Sequence, residues 1–440
     1  MASADVLIHN IGQLVTCRTS DGRAKRGTAM LDVGIIKNGA VAIADGKFAA
    51  VGTMSEVEAK FSADEKIDAG GKVVTPGFVD PHTHIVYAGD RLNEFELKIK
   101  GAEYLDILAA GGGIVSTVKN TRAASEDELV ELAALRLNKM LACGTTSAEI
   151  KTGYGLDTAT ELKMLRVIER LDLEHPIDIS PTFLAAHTVP PEFKGNTDGY
   201  VDLICGEMLP TAWDWYEGSH FCGALSVQAG RLRSSQLYIR KPFFVDVFCE
   251  QNAFTIEQSA KVFETARQLG FGIKAHVDQF NNLGGSRLGI ELGAASIDHL
   301  DAISDEEIAL LASGETVGVV IPTENFSAGK TEFANARKLI DSGCAVAIST
   351  DYNPGSAPCP SVPMAMAIAT RYQKLLPAEA LNAATINAAH AIGLGATHGS
   401  IEVGKRADIL IFDTIDHRQL AYEFGGNQIK TVIARGKVRI

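Results

Sequence analysis

Between residues 76 and 390 the chain alternates short apolar runs with amphipathic stretches, and that rhythm limits its fold more than any other feature. Seven runs read as buried strands, at 145–150, 179–184, 243–248, 272–276, 295–299, 316–321 and 345–351. The run that leads into His82-Thr83-His84 makes the eighth. Helical spacing fills the gaps, at 126–140, 158–171, 255–269 and 305–311. Strand and helix in turn mean parallel strands joined by crossover helices. Eight such units in this length predict an α/β fold, a (β/α)8 barrel of the TIM type. An open doubly wound sheet is the competing arrangement. No G-x-G-x-x-G follows the first strand, which removes its commonest dinucleotide-binding form.

The two ends read differently. Segments 4–10, 33–39, 41–47, 407–413 and 429–438 are strand-like, and helical spacing occurs only near 54–61. Asn38-Gly39 and Asp45-Gly46 carry the dipeptides of tight hairpin turns. The expected organisation is a small β-sandwich domain formed by residues 1–75 together with 391–440, flanking a barrel over 76–390. Segment 208–241, which holds both Trp213 and Trp215, is too long for an ordinary connection. It is expected to be an excursion packed outside the barrel, at a subunit contact.

A formal net charge of −13 argues against nucleic acid or an anionic membrane as partner. An anionic substrate must therefore find local cations. The seven cysteines are scattered and form no C-x-x-C pair, which fits free thiols in a reducing compartment. The N-terminus has no basic and then apolar leader pattern, and no uncharged apolar run approaches a membrane span, so a cytoplasmic location is expected.

His82 and His84, two residues apart on an expected strand, would share one face about 6.6 Å apart and can converge on an ion. Alone, such a pair is often only a surface contact. Downstream, His276 closes the fifth expected strand, His299 the sixth and Asp351 the eighth, at the ends where barrel active sites lie. His82, His84, His276 and Asp351 supply three nitrogens and an oxygen and leave a place for water, as catalytic metal sites do. His299 would stand beside that water, and His299 and Asp351 are the candidates for general acid–base work. The fourth strand has no lysine that could bridge two ions, so one Zn2+ or one iron ion is expected. Glu250 is expected to support the ligands from behind.

Longer runs sharpen this picture: Thr75-Pro-Gly-Phe-Val-Asp-Pro-His-Thr-His84, Gly111-Gly-Gly-Ile-Val-Ser-Thr-Val118, Glu149-Ile-Lys-Thr-Gly-Tyr-Gly-Leu156, Phe183-Leu-Ala-Ala-His187, Ala275-His-Val-Asp-Gln279 and Thr350-Asp-Tyr-Asn-Pro-Gly-Ser356. Over nearly the whole chain the sequence resembles the amidohydrolase superfamily, and within it the imidazolonepropionase family of histidine degradation. The resemblance implies metal-dependent hydrolysis of 4-imidazolone-5-propanoate to N-formimino-L-glutamate, and a homodimer. It also implies a pocket lined by Arg91, Tyr154, His187, Gln279, Asn353, Gly355 and Ser356. Arg91 can grip a carboxylate through two parallel hydrogen bonds. Tyr154 presents a phenol from a glycine-flanked loop, His187 can bond a ring carbonyl, and the 353–356 turn offers donors to a second anionic group. Related cyclic deaminases carry a glutamate where Gln279 stands. An amide cannot ionise, which favours ring opening over loss of ammonia.

Another cyclic amidohydrolase or a heterocycle deaminase is the alternative activity, and a non-catalytic barrel serving as an interaction module is the alternative class. Two departures from the family pattern stand out: the length of 208–241, and Glu324 in Ile321-Pro-Thr-Glu-Asn-Phe326, where a Gly follows the Pro in relatives. Glu324 would either alter substrate preference or face solvent.

Overall fold

In the computed structural model, which describes residues 1–101, 112–223 and 240–440, eight parallel strands follow one another in chain order around a single sheet. They are Phe78–Asp80, Thr145–Lys151, Asp178–Ala186, Phe244–Cys249, Gly272–Val277, Ser296–His299, Val317–Val320 and Val346–Ile348. Almost every residue in them is buried, as strands covered by helices on one side and packed together on the other must be. The first and last strands meet without a backbone ladder. Thr83 bridges Tyr352, the His84 N–H donates to the Tyr352 carbonyl at 2.9 Å, and the Asp80 carboxylate accepts from the hydroxyls of Ser349 and Thr350. The sheet is therefore a barrel and not an open, doubly wound sheet.

Local chemistry starts the crossover helices where the spacing predicts them. Ser125 caps Glu126–Ala142 and Asp157 caps Thr158–Glu174. Thr255 and Ser304 open Ile256–Leu269 and Asp305–Ser313 with reciprocal capping boxes. Each such cap satisfies backbone N–H groups that have no partner inside the helix.

The termini build a second eight-stranded sheet, in which Ala2–Val15 lies beside Ile35–Ala44 on one side and Phe61–Asp68 and Val73–Pro76 on the other. Ile409–Phe412 joins Val73–Pro76 and brings the C-terminal strands into the same sheet. Val6, Ile8, Val41, Ile409 and Ile433 share one apolar core across these strands. Asp45-Gly46, with both residues at positive φ (51° and 71°), makes the expected hairpin turn. Asn38-Gly39 does not. It lies inside Ile35–Ala44, opposite an irregularity in Ala2–Val15, and a Cβ at Gly39 would meet Leu14 at 2.7 Å.

Asp178, the first residue of the third barrel strand, ties the two sheets together. Its carboxylate accepts from Arg406 Nε at 2.8 Å and Arg435 Nη2 at 2.8 Å, with His398 Nε2 at 3.2 Å and Lys241 Nζ at 3.5 Å. The described part of segment 208–241 is mostly regular. Leu209–Gly218 continues a helical stretch from Thr197, with Trp213 packed on Phe271 and Trp215 on Phe243 at the outside of the barrel. Residues 224–239 of that segment, and Gly111 of the triple-glycine run, lie outside the described residues. Among the described residues no helix is long and apolar enough to cross a membrane.

Candidate active site

The first strand ends at Asp80, so His82 and His84 sit just past it and not on a strand face as the spacing suggests. They converge all the same, because Thr83 is pinned to Tyr352 between them: His82 Nε2 and His84 Nε2 are 3.2 Å apart. His276, near the end of the fifth strand, completes a buried trio whose ligand atoms all lie within 4.8 Å of one another. Asp351, three residues past the end of the eighth strand, brings Oδ1 to 3.7 Å from His82 Nε2 and 3.5 Å from His84 Nε2. Burial holds His82 and His84 well below the usual imidazole range and pushes the Asp351 carboxyl well up. Neutral imidazoles facing a buried carboxylate are the donor set of a divalent cation, so these residues fit one.

Behind the ligands stand carboxylates to which sequence reading assigns no role. His82 Nδ1 lies 2.7 Å from Asp298 Oδ2, and His276 Nδ1 lies 2.7 Å from Asp246 Oδ2, the second contact being less well aligned. An Nδ1–H held this way leaves Nε2 as the free lone pair. Lys151, Lys274 and Glu149 complete an ionic layer under the site. The signal that finds them is a charged residue in a run otherwise buried: Asp246, Lys274 and Asp298 stand inside apolar strands, and Lys151 closes a fully buried one. Glu250 does not join this layer. Its carboxylate accepts the N–H groups of Phe280 and Asn281 and so anchors the loop that carries Gln279, which is half-buried.

His299 closes the sixth strand with its ring 5.4 Å from that of His82 and 5.3 Å from that of His276. Burial, with His276 and Lys330 adding to it, holds His299 well below the usual range, so the ring is neutral. Its φ of 88° is in the left-handed region, a strain that clusters at functional positions.

Tyr154 and His187 line the same mouth. His187 stacks on His84 with ring centroids 4.9 Å apart, and Tyr154 lies 5.4 Å from His187. The Tyr154 loop is held by Glu161, whose carboxylate accepts the N–H groups of Gly153, Gly155 and Leu156. His187 Nδ1 lies 3.0 Å from the Gly153 carbonyl and must donate to it. Burial takes this imidazole down to about 3, so it is neutral and Nε2 is an acceptor. With Nδ1 committed to the Gly153 carbonyl, Nε2 is the atom left for a ligand.

Arg91 Nε donates to Thr117 Oγ1 at 2.9 Å, and Glu94 lies 3.7 Å from its guanidinium while accepting the Gly113 N–H at 2.6 Å. The glycine-rich motif thus holds the cation. Gly355 lies against it, since a Cβ there would come within 2.5 Å of Arg91 Nη1. The donors of Asn353, Gly355 and Ser356 close on one another, with Asn353 Oδ1 accepting both backbone N–H groups at 2.8 Å. Here they form a turn and not an open anion cradle. Glu324 is buried and paired with Lys330 at 3.1 Å, so it does not face solvent.

A parallel barrel with such a donor cluster at the C-terminal mouth defines the amidohydrolase class, hydrolases of C–N bonds, and the profile of the Amidohydrolase family matches residues 250–439. Full-length comparison is more specific. The chain is 50% identical over 438 residues to the imidazolonepropionase of Chloroflexus aggregans, covering 100% of this chain and 99% of that one. It is 48% identical to that of Herpetosiphon aurantiacus (100% and 98%) and 44% to that of Symbiobacterium thermophilum (100% and 98%). The chain belongs to the imidazolonepropionase family, hydrolases of histidine degradation. Among solved structures, an E. coli guanine deaminase shares the fold at TM-score 0.72 and 15% identity, over 99% of this chain and 98% of that one. A Xanthomonas campestris adenosine deaminase with bound zinc does so at 0.69 and 20%, over 99% and 93%.

Proposed function

We propose that the chain opens 4-imidazolone-5-propanoate with water to give N-formimino-L-glutamate, using one Zn2+ or iron ion held by His82, His84, His276 and Asp351. The convergence of those four donors, from the first, fifth and eighth strands, carries the reading. The ion, when bound, supplies an acidified water and polarises the ring carbonyl.

The remaining work falls to side chains. Arg91, set by Thr117, pairs with the propanoate as the local cation that an acidic chain needs. Asn353, Gly355 and Ser356 shape the wall on which Arg91 lies. His187 Nε2 accepts from a ring N–H, and Tyr154 and Gln279 complete the hydrogen bonds that orient the heterocycle. Neutral His299 takes the proton of the attacking water and, with Asp351, passes it to the departing ring nitrogen. The amide C–N bond of the ring breaks, the carbonyl carbon takes the water oxygen and becomes the α-carboxylate of the single product, and the nitrogen stays in its formimino group. The same reading carries a cytoplasmic homodimer, which light scattering on the purified protein checks.

Metal-replete protein given imidazolone propanoate should abolish the ring absorbance and yield formiminoglutamate without ammonia. Ammonia release, or an unchanged ring, overturns the reading.

A further inference from the structure

Barrel interiors are ordinarily filled by layers of branched apolar side chains. Under this mouth the layer is ionic: Lys151, Lys274, Glu149, Asp246 and Asp298 are each 0% exposed. We propose that Lys151 and Lys274 are positioning residues, resident counter-ions that hold Asp246 and Asp298 against the outer nitrogens of two ligand histidines. This rests on the metal reading above.

Asp298 Oδ2, which contacts His82 Nδ1 at 2.7 Å, also faces Lys274 Nζ at 3.6 Å and Lys151 Nζ at 3.7 Å. Asp246 Oδ2, which contacts His276 Nδ1 at 2.7 Å, also binds Lys151 Nζ at 2.7 Å. Neither oxygen can turn from its histidine without leaving an ammonium. The other oxygens are pinned as well, Asp298 Oδ1 by the Ser296 hydroxyl at 2.5 Å and Asp246 Oδ1 by the His276 N–H at 3.0 Å. Glu149 Oε2 sits between the lysines, 2.9 Å from Lys151 and 3.3 Å from Lys274. Lys274 also donates to the Pro81 carbonyl at 3.0 Å, one residue before His82, and so holds the backbone of the H-x-H turn. With His82 Nδ1 hydrogen-bonded to Asp298 and His276 Nδ1 in contact with Asp246, Nε2 of each ring is the nitrogen left to serve as ligand. His82, Glu149 and Asp298 form another donor cluster of metal-binding dimensions, but lysine ammoniums already neutralise it. The layer therefore supports one ion and not two.

The test measures Zn2+ stoichiometry and affinity, by competition with a chromophoric chelator, for the wild type, K151M, K274M and the charge-balanced E149Q/K274M. Folding is checked by circular dichroism. Folded variants should bind Zn2+ about 10–100-fold more weakly, the range for losing a partner of a ligand histidine. A purely packing role would lower the melting temperatures of apo and loaded protein alike and leave affinity unchanged. That result in any folded variant overturns the proposal. S296A removes only the pin on Asp298, deletes no charge and keeps the assay decisive if buried lysine variants do not fold. It should weaken Zn2+ binding, and unaltered affinity in S296A counts against the proposal. A folded wild type that binds no Zn2+ defeats the metal reading instead.

Discussion

At His299 the backbone takes a conformation that costs a non-glycine residue roughly 1–3 kcal/mol, and Leu300 follows at φ 68°. That strain sits at a strand end beside the donor cluster, which fits the role proposed for His299. Replacing His299 with Ala should lower kcat by about 10²–10⁴-fold, the usual worth of a positioned base, while metal content by elemental analysis stays near wild type. Retained turnover would remove it from the mechanism. Arg91→Ala should raise KM by about 10–100-fold, the worth of a charged hydrogen-bonded pair, and leave a substrate analogue without the propanoate unaffected. Site chemistry was partly legible: His82, His84, His276, His299 and Asp351 announce themselves as ionisable residues at strand ends. Thr117 and Glu161 were not, because a threonine and a helix glutamate acquire meaning only from what the fold brings beside them, and the charges inside buried strand runs marked the Lys151 layer without showing its pairings.

Among elements, the eight strands and four crossover helices were readable because period and caps agree along each segment. Asn38-Gly39 misled because a dipeptide that favours positive φ serves a sheet irregularity as well as a turn. The join between the two sheets was invisible, since Asp178 and its partners Arg406 and Arg435 lie more than two hundred residues apart. Burial would raise the Asp178 carboxyl, but Arg435, Lys241 and Arg406 outweigh it and hold it well below the ordinary range. The stability it contributes is therefore present above its unfolded value, near 3.9, and is lost as pH falls through the lower folded value. Asp178→Asn should cost about 1.5–3 kcal/mol in denaturant unfolding at neutral pH, because it weakens charged hydrogen bonds to the half-buried Arg406, Arg435 and Lys241, and should flatten the acid limb of the stability profile.

For the whole molecule, the connection between the first and last barrel strands is the thinnest part of the sheet. Among the described residues it carries one bridge, the His84 N–H bond to Tyr352, the Ser349 hydroxyl on the His82 carbonyl, and the Asp80 carboxylate accepting from Ser349 and Thr350. His82 and His84 lie on one side of that seam and Asp351 on the other. On the proposed reading, a cation gripped by all three would act as a rivet across the joint, and the reaction centre would double as the clasp that keeps the cylinder shut. Chelation should then speed amide hydrogen exchange at His84 far more than in the Thr145–Lys151 strand. Equal protection at both places, with and without chelator, would show that the clasp is not needed.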